Sequence, residues 1–222
     1  MSSQTEGYIG FSLTAIHNVI TRGLKVSIES ARGFAERGFR DGGEQAGFLN
    51  YVRALVSVLD GHHLTEDDVA FPYFRDKLPE TPFDLLMAQH QEMVPVLGEI
   101  GSAVERCEKE GQVKAGLRDI EAGLVKVDSI WHPHIQIEQE HIVEKADAIL
   151  PVEEQVRLVR LFGEYSQKHS GPPYLAVPFM LYNLDKDERA IFAKEMPAEV
   201  TGHLVPIVWK EQWASMAPFL LE

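Results

Sequence analysis

Five histidines and two glutamates are spaced so that they could hold metal: His17, the pair His62-His63 followed by Glu66, a single His90, and His134 followed by Glu138. Imidazole and carboxylate donors without thiolate suit iron, with manganese or zinc ranked behind it. On a helix turning about 100° per residue, His62, Glu66 and His63 fall within an arc of about 100°, the glutamate between the two imidazoles. That arc suits two ions, since each imidazole can address one while the carboxylate bridges both. His134 and Glu138 lie about 40° apart on their own helix and offer a terminal imidazole and a second bridge. His17 and His90 complete the ring. Five imidazoles on two bridged ions divide three and two, which leaves one ion with a position open to a small ligand. An open position separates a reactive centre from a purely structural one.

Four long helices must bring these residues together. From Tyr8 to about Phe39, apolar residues Ile9, Leu13, Ile16, Ile20, Leu24 and Ile28 recur every three or four positions, as one buried helix face requires. Gly42-Gly43 interrupts the chain, and Asp41 with Glu44 has the capping-box pattern for a second helix that ends before Pro72. Thr81-Pro82 opens a third, to about Lys109, which Pro95 should kink. A fourth spans roughly Lys114 to Ala148, with Pro133 inside it, so a local distortion is expected beside His132 and His134. The expected fold is all-α: residues 1–150 as an up-down four-helix bundle and residues 151–222 as a helical extension packed on it. In the extension, a helix runs from Pro151 to about Lys168, Ser170-Gly171-Pro172-Pro173 forms a stiff loop, and Asp185 with Glu188 caps a helix near Glu188–Lys194. Val208–Met216 is a last segment rich in Trp and Met.

Composition narrows the function. With 222 residues, 45% hydrophobic and 25% charged, the chain has the make-up of a soluble globular protein. No apolar run is long enough to span a membrane, and the start MSSQTEGYIG lacks the basic flank and apolar stretch of a secretory signal. The single cysteine, Cys107, excludes an internal disulfide and a thiolate-rich zinc site, and a reducing cytoplasm is the expected compartment. A net charge of −13 with no basic cluster disfavours nonspecific binding to nucleic acid or an anionic membrane.

As a set, the lone His17, His62-His63-x-x-Glu66, the lone His90 and His134-x-x-x-Glu138 resemble the hemerythrin-like (HHE cation-binding) family over residues from about 9 to 150. The resemblance implies a four-helix bundle around an oxo- or hydroxo-bridged pair of iron ions that meets O2, hydrogen peroxide or NO. It also implies His17, His62, His63, Glu66, His90, His134 and Glu138 as ligands, with Glu66 and Glu138 bridging. The sequence departs from oxygen-carrying members in one place. Those have two histidines four apart on the third helix, whereas Leu86 and Val94 flank His90 here. His63 can supply the missing imidazole, and simple oxygen transport is thereby put in doubt. A sensor or carrier, an enzyme acting on peroxide, NO or ferrous iron, and a metal-stabilised interaction module using the extension all remain open.

Other polar residues read more plainly. His132 falls behind its helix, and His141 lies about 20° off the ligand face but two turns along, which makes it a neighbour of the site and not a ligand. His169 and His203 are expected to be structural or exposed, Glu92 and Glu140 solvated, Cys107 an idle thiol, and the C-terminal tryptophans and Met216 core.

Overall fold

Each long amphipathic stretch forms a helix that buries its apolar stripe. The structure is a computed structural model that describes residues 8–109 and 111–221. Residues 1–7, most of the start read for a leader, lie outside the described residues. Helix α1 is Ile9–Arg37 and turns Ile9, Leu13, Ile20 and Leu24 inward together with His17. Helix α2, Gly42–Thr65, is capped at its start as expected: the Asp41 side chain accepts a hydrogen bond from the Glu44 N–H at 2.8 Å. Glu44 does not return the bond to Asp41; its carboxylate takes the Arg40 N–H and the Arg37 guanidinium. After the four-residue α3, Phe71–Phe74, come α4, Phe83–Cys107, and α5, Val113–Glu138. Helix α1 packs on α2 and α5, and α4 packs on α2 and α5, closing a four-helix bundle. Among the described residues there is no strand, and no helix is long and apolar enough to cross a membrane.

The backbone departs from regular α-helix at two places, both next to the candidate ligands. Helix α2 widens into a π-helical turn at Glu66–Ala70, where the Phe71 N–H donates to the Glu66 carbonyl five residues back. Pro72, which has no N–H to give, follows directly. Helix α5 stays regular through Pro133, so the expected distortion is absent there. It widens instead at Gln139–Val143, where the Glu144 N–H donates to the Gln139 carbonyl, and resumes as α6, Glu144–Ile149. Helix α4 likewise continues through Pro95. Thr81 does not cap α4; its hydroxyl donates to the His141 carbonyl at 3.4 Å and ties that helix start to the second π turn.

The extension comprises α7, Val152–His169; α8, Pro173–Tyr182; α9, Lys186–Phe192; a π-helical stretch Val200–Val208; α10, Lys210–Trp213; and a 3-10 stretch Ala214–Phe219. Pro172-Pro173, read as loop, opens α8. Asp185 caps α9 through the Asp187 and Glu188 N–H groups. The extension lies on the α1 and α2 side of the bundle. Approach is so close that a methyl group at Gly47 would stand 2.0 Å from the Ser215 carbonyl oxygen. Phe179, Val205, Trp213 and Met216 share one hydrophobic core with bundle residues Leu24, Tyr51 and Leu55. A second core, built from Leu13, Ala70, Phe71, Phe74, Leu86 and Ile142 among others, lies beyond the histidine layer.

One contact of the extension is pH-sensitive. The Ser12 hydroxyl donates to Glu195 Oε1 at 2.6 Å, and burial pushes this carboxyl up to about 7 although the hydrogen bond works against it. A raised folded-state pKa contributes stability below the ordinary value of 4.5 that is lost as pH rises through about 7. Urea midpoints are therefore expected to fall from about pH 5 to about pH 8 more steeply in the wild type than in Glu195→Gln. Parallel profiles would remove Glu195 as the cause.

Candidate metal centre

His17 on α1, His62 and His63 at the end of α2, Glu66 at the π turn, His90 on α4, and His134 and Glu138 at the end of α5 are all buried, none more than 5% exposed. Seven polar side chains thus form a layer between two hydrophobic cores. Burial of this kind costs several kcal/mol per group unless partners compensate, of order 2–7 for a neutral polar group. Hydrogen bonds within the protein do not compensate fully. His17 Nε2, His62 Nε2, both ring nitrogens of His63, Glu66 Oε2 and both oxygens of Glu138 are buried without one.

These atoms face each other. His17 Nε2 stands 3.2 Å from Glu138 Oε2, His62 Nε2 3.3 Å from Glu66 Oε2, His90 Nε2 3.4 Å from Glu66 Oε2, and His134 Nε2 3.4 Å from Glu138 Oε1. The His90 and His134 Nε2 atoms are only 3.1 Å apart. Such spacings are those of donor atoms converging on common centres at bond lengths of about 2 Å. Two groups result, His17-His62-Glu66-Glu138 and Glu66-His90-His134-Glu138, each with its donor atoms within 4.8 Å of one another and both containing the two glutamates. The clusters fit a metal site.

His63 lies beside these groups and belongs to neither. Its ring stacks on His90 with centroids 4.1 Å apart and stands 6.1 Å from that of His134. The far nitrogens of two histidines are engaged by residues the sequence reading passed over: His90 Nδ1 by Asp67 Oδ1 at 2.8 Å and His134 Nδ1 by Gln89 Oε1 at 3.1 Å. Each follows or precedes a candidate ligand directly in the chain, which is the one signal that pointed to them. Trp131, one helical turn before His134, was also passed over. Its fully buried ring lies 5.7 Å from those of both His17 and His62 and stacks on His134 at 6.0 Å. Phe71 stacks on His90 from the other core.

Electrostatics favour a cation. Burial, and then the neighbouring His17, holds His62 well below the ordinary imidazole range; burial and His90 do the same to His63. Both are therefore neutral and free to donate lone pairs. Burial and the adjacent Glu138 hold Glu66 well above the carboxylate range. Burial would raise Glu138 too, but the His134 and His17 imidazoles outweigh it and hold it low. Two buried carboxylates side by side thus keep one proton between them, and a bound cation takes over that proton's role.

A small cavity of about 10 Å³ opens on the His17 side, lined by His17, Glu66 and Glu138 and by apolar Leu13, Ala70, Phe71, Phe74 and Ile142. Its volume is on the order of what one water molecule needs.

The other histidines and glutamates singled out in the sequence stand outside both clusters. His132 is exposed and 3.3 Å from Asp128. His141 sits on the second π turn, in neither cluster, with a buried Nδ1. His169 stacks on Tyr165, while His203, Glu92 and Glu140 are exposed. Burial raises the Cys107 thiol to about 11, so it stays protonated. Comparison with curated proteins and with solved structures finds no match. The model of the hemerythrin HHE cation binding domain, in contrast, matches residues 12–149, more than half of the chain and every residue of both clusters. With that match and this geometry, the chain belongs to the hemerythrin HHE cation-binding domain family.

Proposed function

We propose that the protein binds two non-haem irons, one in each four-residue group, and that the centre takes a small ligand such as O2, hydrogen peroxide or NO as a sensor or in iron and oxygen homeostasis. The sharing of Glu66 and Glu138 by both groups carries this reading. His63 is assigned to the His90-His134 side, on which its ring is stacked. That gives three imidazoles to one ion and two to the other, and the less crowded side is the one next to the cavity. When bound, the irons supply paired one-electron chemistry and an open coordination position. The chain's own residues do the rest. Glu66 and Glu138 fix the spacing of the two positions, and Trp131 and Phe71 hold the imidazole planes. Leu13, Ala70, Phe74 and Ile142 exclude bulk water from the ligand's position.

An apolar lining supplies no acid or base beyond His17, Glu66 and Glu138, which favours reversible binding over peroxide turnover. Bundle and extension are read as one folding unit, because they share a core. The test is metal analysis of protein expressed with iron, combined with anaerobic and aerobic absorption spectra. Two irons per chain and an oxygen-dependent band are expected; a chain that takes up no iron sinks the reading. Peroxide decomposition much faster than by free iron would favour the enzyme class. Chelation is expected to lower Tm by roughly 10 °C. Saturation at about a thousand times Kd is worth about 4 kcal/mol, and each kcal/mol shifts a chain of this size by about 2–4 °C.

A further inference from the structure

Asp67 and Asp68 follow Glu66 on the first π turn and point to opposite sides of it. Asp67 Oδ1 lies 2.8 Å from His90 Nδ1, inside the bundle, while Asp68 Oδ2 accepts a hydrogen bond from the Tyr165 hydroxyl on α7 of the extension. A second bond reaches α7 from α3, just past the turn, where the Tyr73 hydroxyl donates to Glu154. Helix α7 therefore holds the π turn at Asp68 and the next helix, α3, at Tyr73.

A neutral imidazole has one N–H and one lone pair. An acceptor on Nδ1 holds the proton there, turns the Nε2 lone pair toward the site and fixes the plane of the ring. For His90 that acceptor is a carboxylate only partly shielded from solvent, whereas His134 has the neutral amide of Gln89. The His90 side is thus set by a residue whose place depends on the turn, and the turn is held from outside by the extension.

We propose that Asp67 is a positioning residue for His90, and that Tyr165, by holding Asp68, lets the C-terminal extension set how firmly the ion on the His90 side is held. This rests on the metal-centre reading above. The extension then has a role at the site without contributing a ligand. Disengaging α7 frees the turn, Asp67 loses its register with His90, and metal is released faster.

Full-length wild type, Asp67→Ala, Asp67→Asn and Tyr165→Phe separate these steps. Two readouts are used: the visible spectrum of cobalt-loaded protein, and anaerobic release of ferrous iron to a competing chelator. Circular dichroism and Tm of the metal-free proteins check folding. Asp67→Ala is expected to release iron about 10–100-fold faster and to alter the cobalt spectrum, as losses of a ligand's hydrogen-bond partner do. Asp67→Asn keeps an acceptor oxygen, and its release is expected to stay within about threefold of wild type. Tyr165→Phe removes a surface hydroxyl and is expected to speed release about 3–10-fold with Tm unchanged. Wild-type behaviour in Asp67→Ala overturns the positioning role, and equal loss in both Asp67 variants reassigns the effect to charge and overturns it too. Unchanged release in Tyr165→Phe overturns the part played by the extension, and this variant stays informative even where Asp67→Ala fails to fold. A wild type that binds neither cobalt nor iron would instead overturn the metal-centre reading itself.

Discussion

Glu66→Ala and Glu138→Ala are each expected to leave the chain with at most one iron. Either glutamate belongs to both four-residue groups, so removing one takes a donor from two positions at once. In Glu138→Ala the Nε2 atoms of His17 and His134 lose the carboxylate oxygens now 3.2 and 3.4 Å away. Two positions with two or three imidazoles and one carboxylate between them hold too little negative charge for two divalent ions in a buried layer. The metal-free protein should respond differently. Glu66 is held above the carboxylate range by burial and by Glu138, so Glu66→Gln, which keeps the shape and never ionises, leaves the metal-free fold as stable or firmer. Iron per chain and urea midpoints with and without chelator check both halves. Two irons retained in Glu66→Ala and in Glu138→Ala would exclude the bridging roles.

How far the site was legible depended on whether a residue's position follows from one helix or from two. The arc holding His62, Glu66 and His63 follows from one helix, and the structure places Glu66 where it meets both His62 and His90. His63 fell outside the two groups because helical rotation says which way a side chain leaves its helix and nothing of how far the next helix lies. Asp67, Gln89 and Trp131 were illegible for a related reason. Each earns its place by a contact across helices, such as Asp67 on His90 or Trp131 on His17. The π turns shift the rotation by one residue immediately after each glutamate, so counting at about 100° per residue fails beyond Glu66 and Glu138. His141, reached only by counting through the second π turn, lies on that turn and outside both clusters.

For the fold, α1, α4 and α5 were readable because each keeps one exposed face, whereas α2, covered on its outer side by the extension, was marked by its Asp41 cap. Most helix ends agreed to within a few residues, with Asp41 and Asp185 acting as the expected caps, but the helical run after α2 continues past Pro72 to Phe74. Helix α8 was missed for a physical reason. Leu175 to Phe179 and Leu181 are all buried, so this helix is covered on nearly every side and shows no apolar period to detect. Pro172 and Pro173, read as part of a stiff loop, serve here as N-cap and first residue, where a missing N–H costs nothing. The stretch Val200–Val208 was equally unreadable, since its π-helical form follows neither the helical nor the strand period.

Trp131→Ala is the largest single-residue loss expected away from the glutamates. The indole is fully buried, donates through Nε1 to the Thr21 hydroxyl at 2.9 Å, and lies against the rings of His17, His62, His63 and His134. Truncating a buried Trp costs about 3–5 kcal/mol through lost transfer energy and the cavity left behind. Trp131→Phe should cost much less, since most of the packing remains and the Thr21 hydrogen bond is worth about 1 kcal/mol. The consequence for the metal centre follows from burial. His62 and His63 stay neutral far below the ordinary imidazole range chiefly because they are buried. A depressed pKa means that their contribution to stability is present above about 6.5 and is lost as pH falls toward the folded-state value. Water admitted to the space left by the indole raises both pKa values toward 6.5, so protons compete with metal at higher pH. Acid release of iron, followed by absorption while pH is lowered, is therefore expected at higher pH in Trp131→Ala than in Trp131→Phe. Coincident release curves, with the stability loss confirmed by urea unfolding, would show that Trp131 supports the fold without sealing the centre.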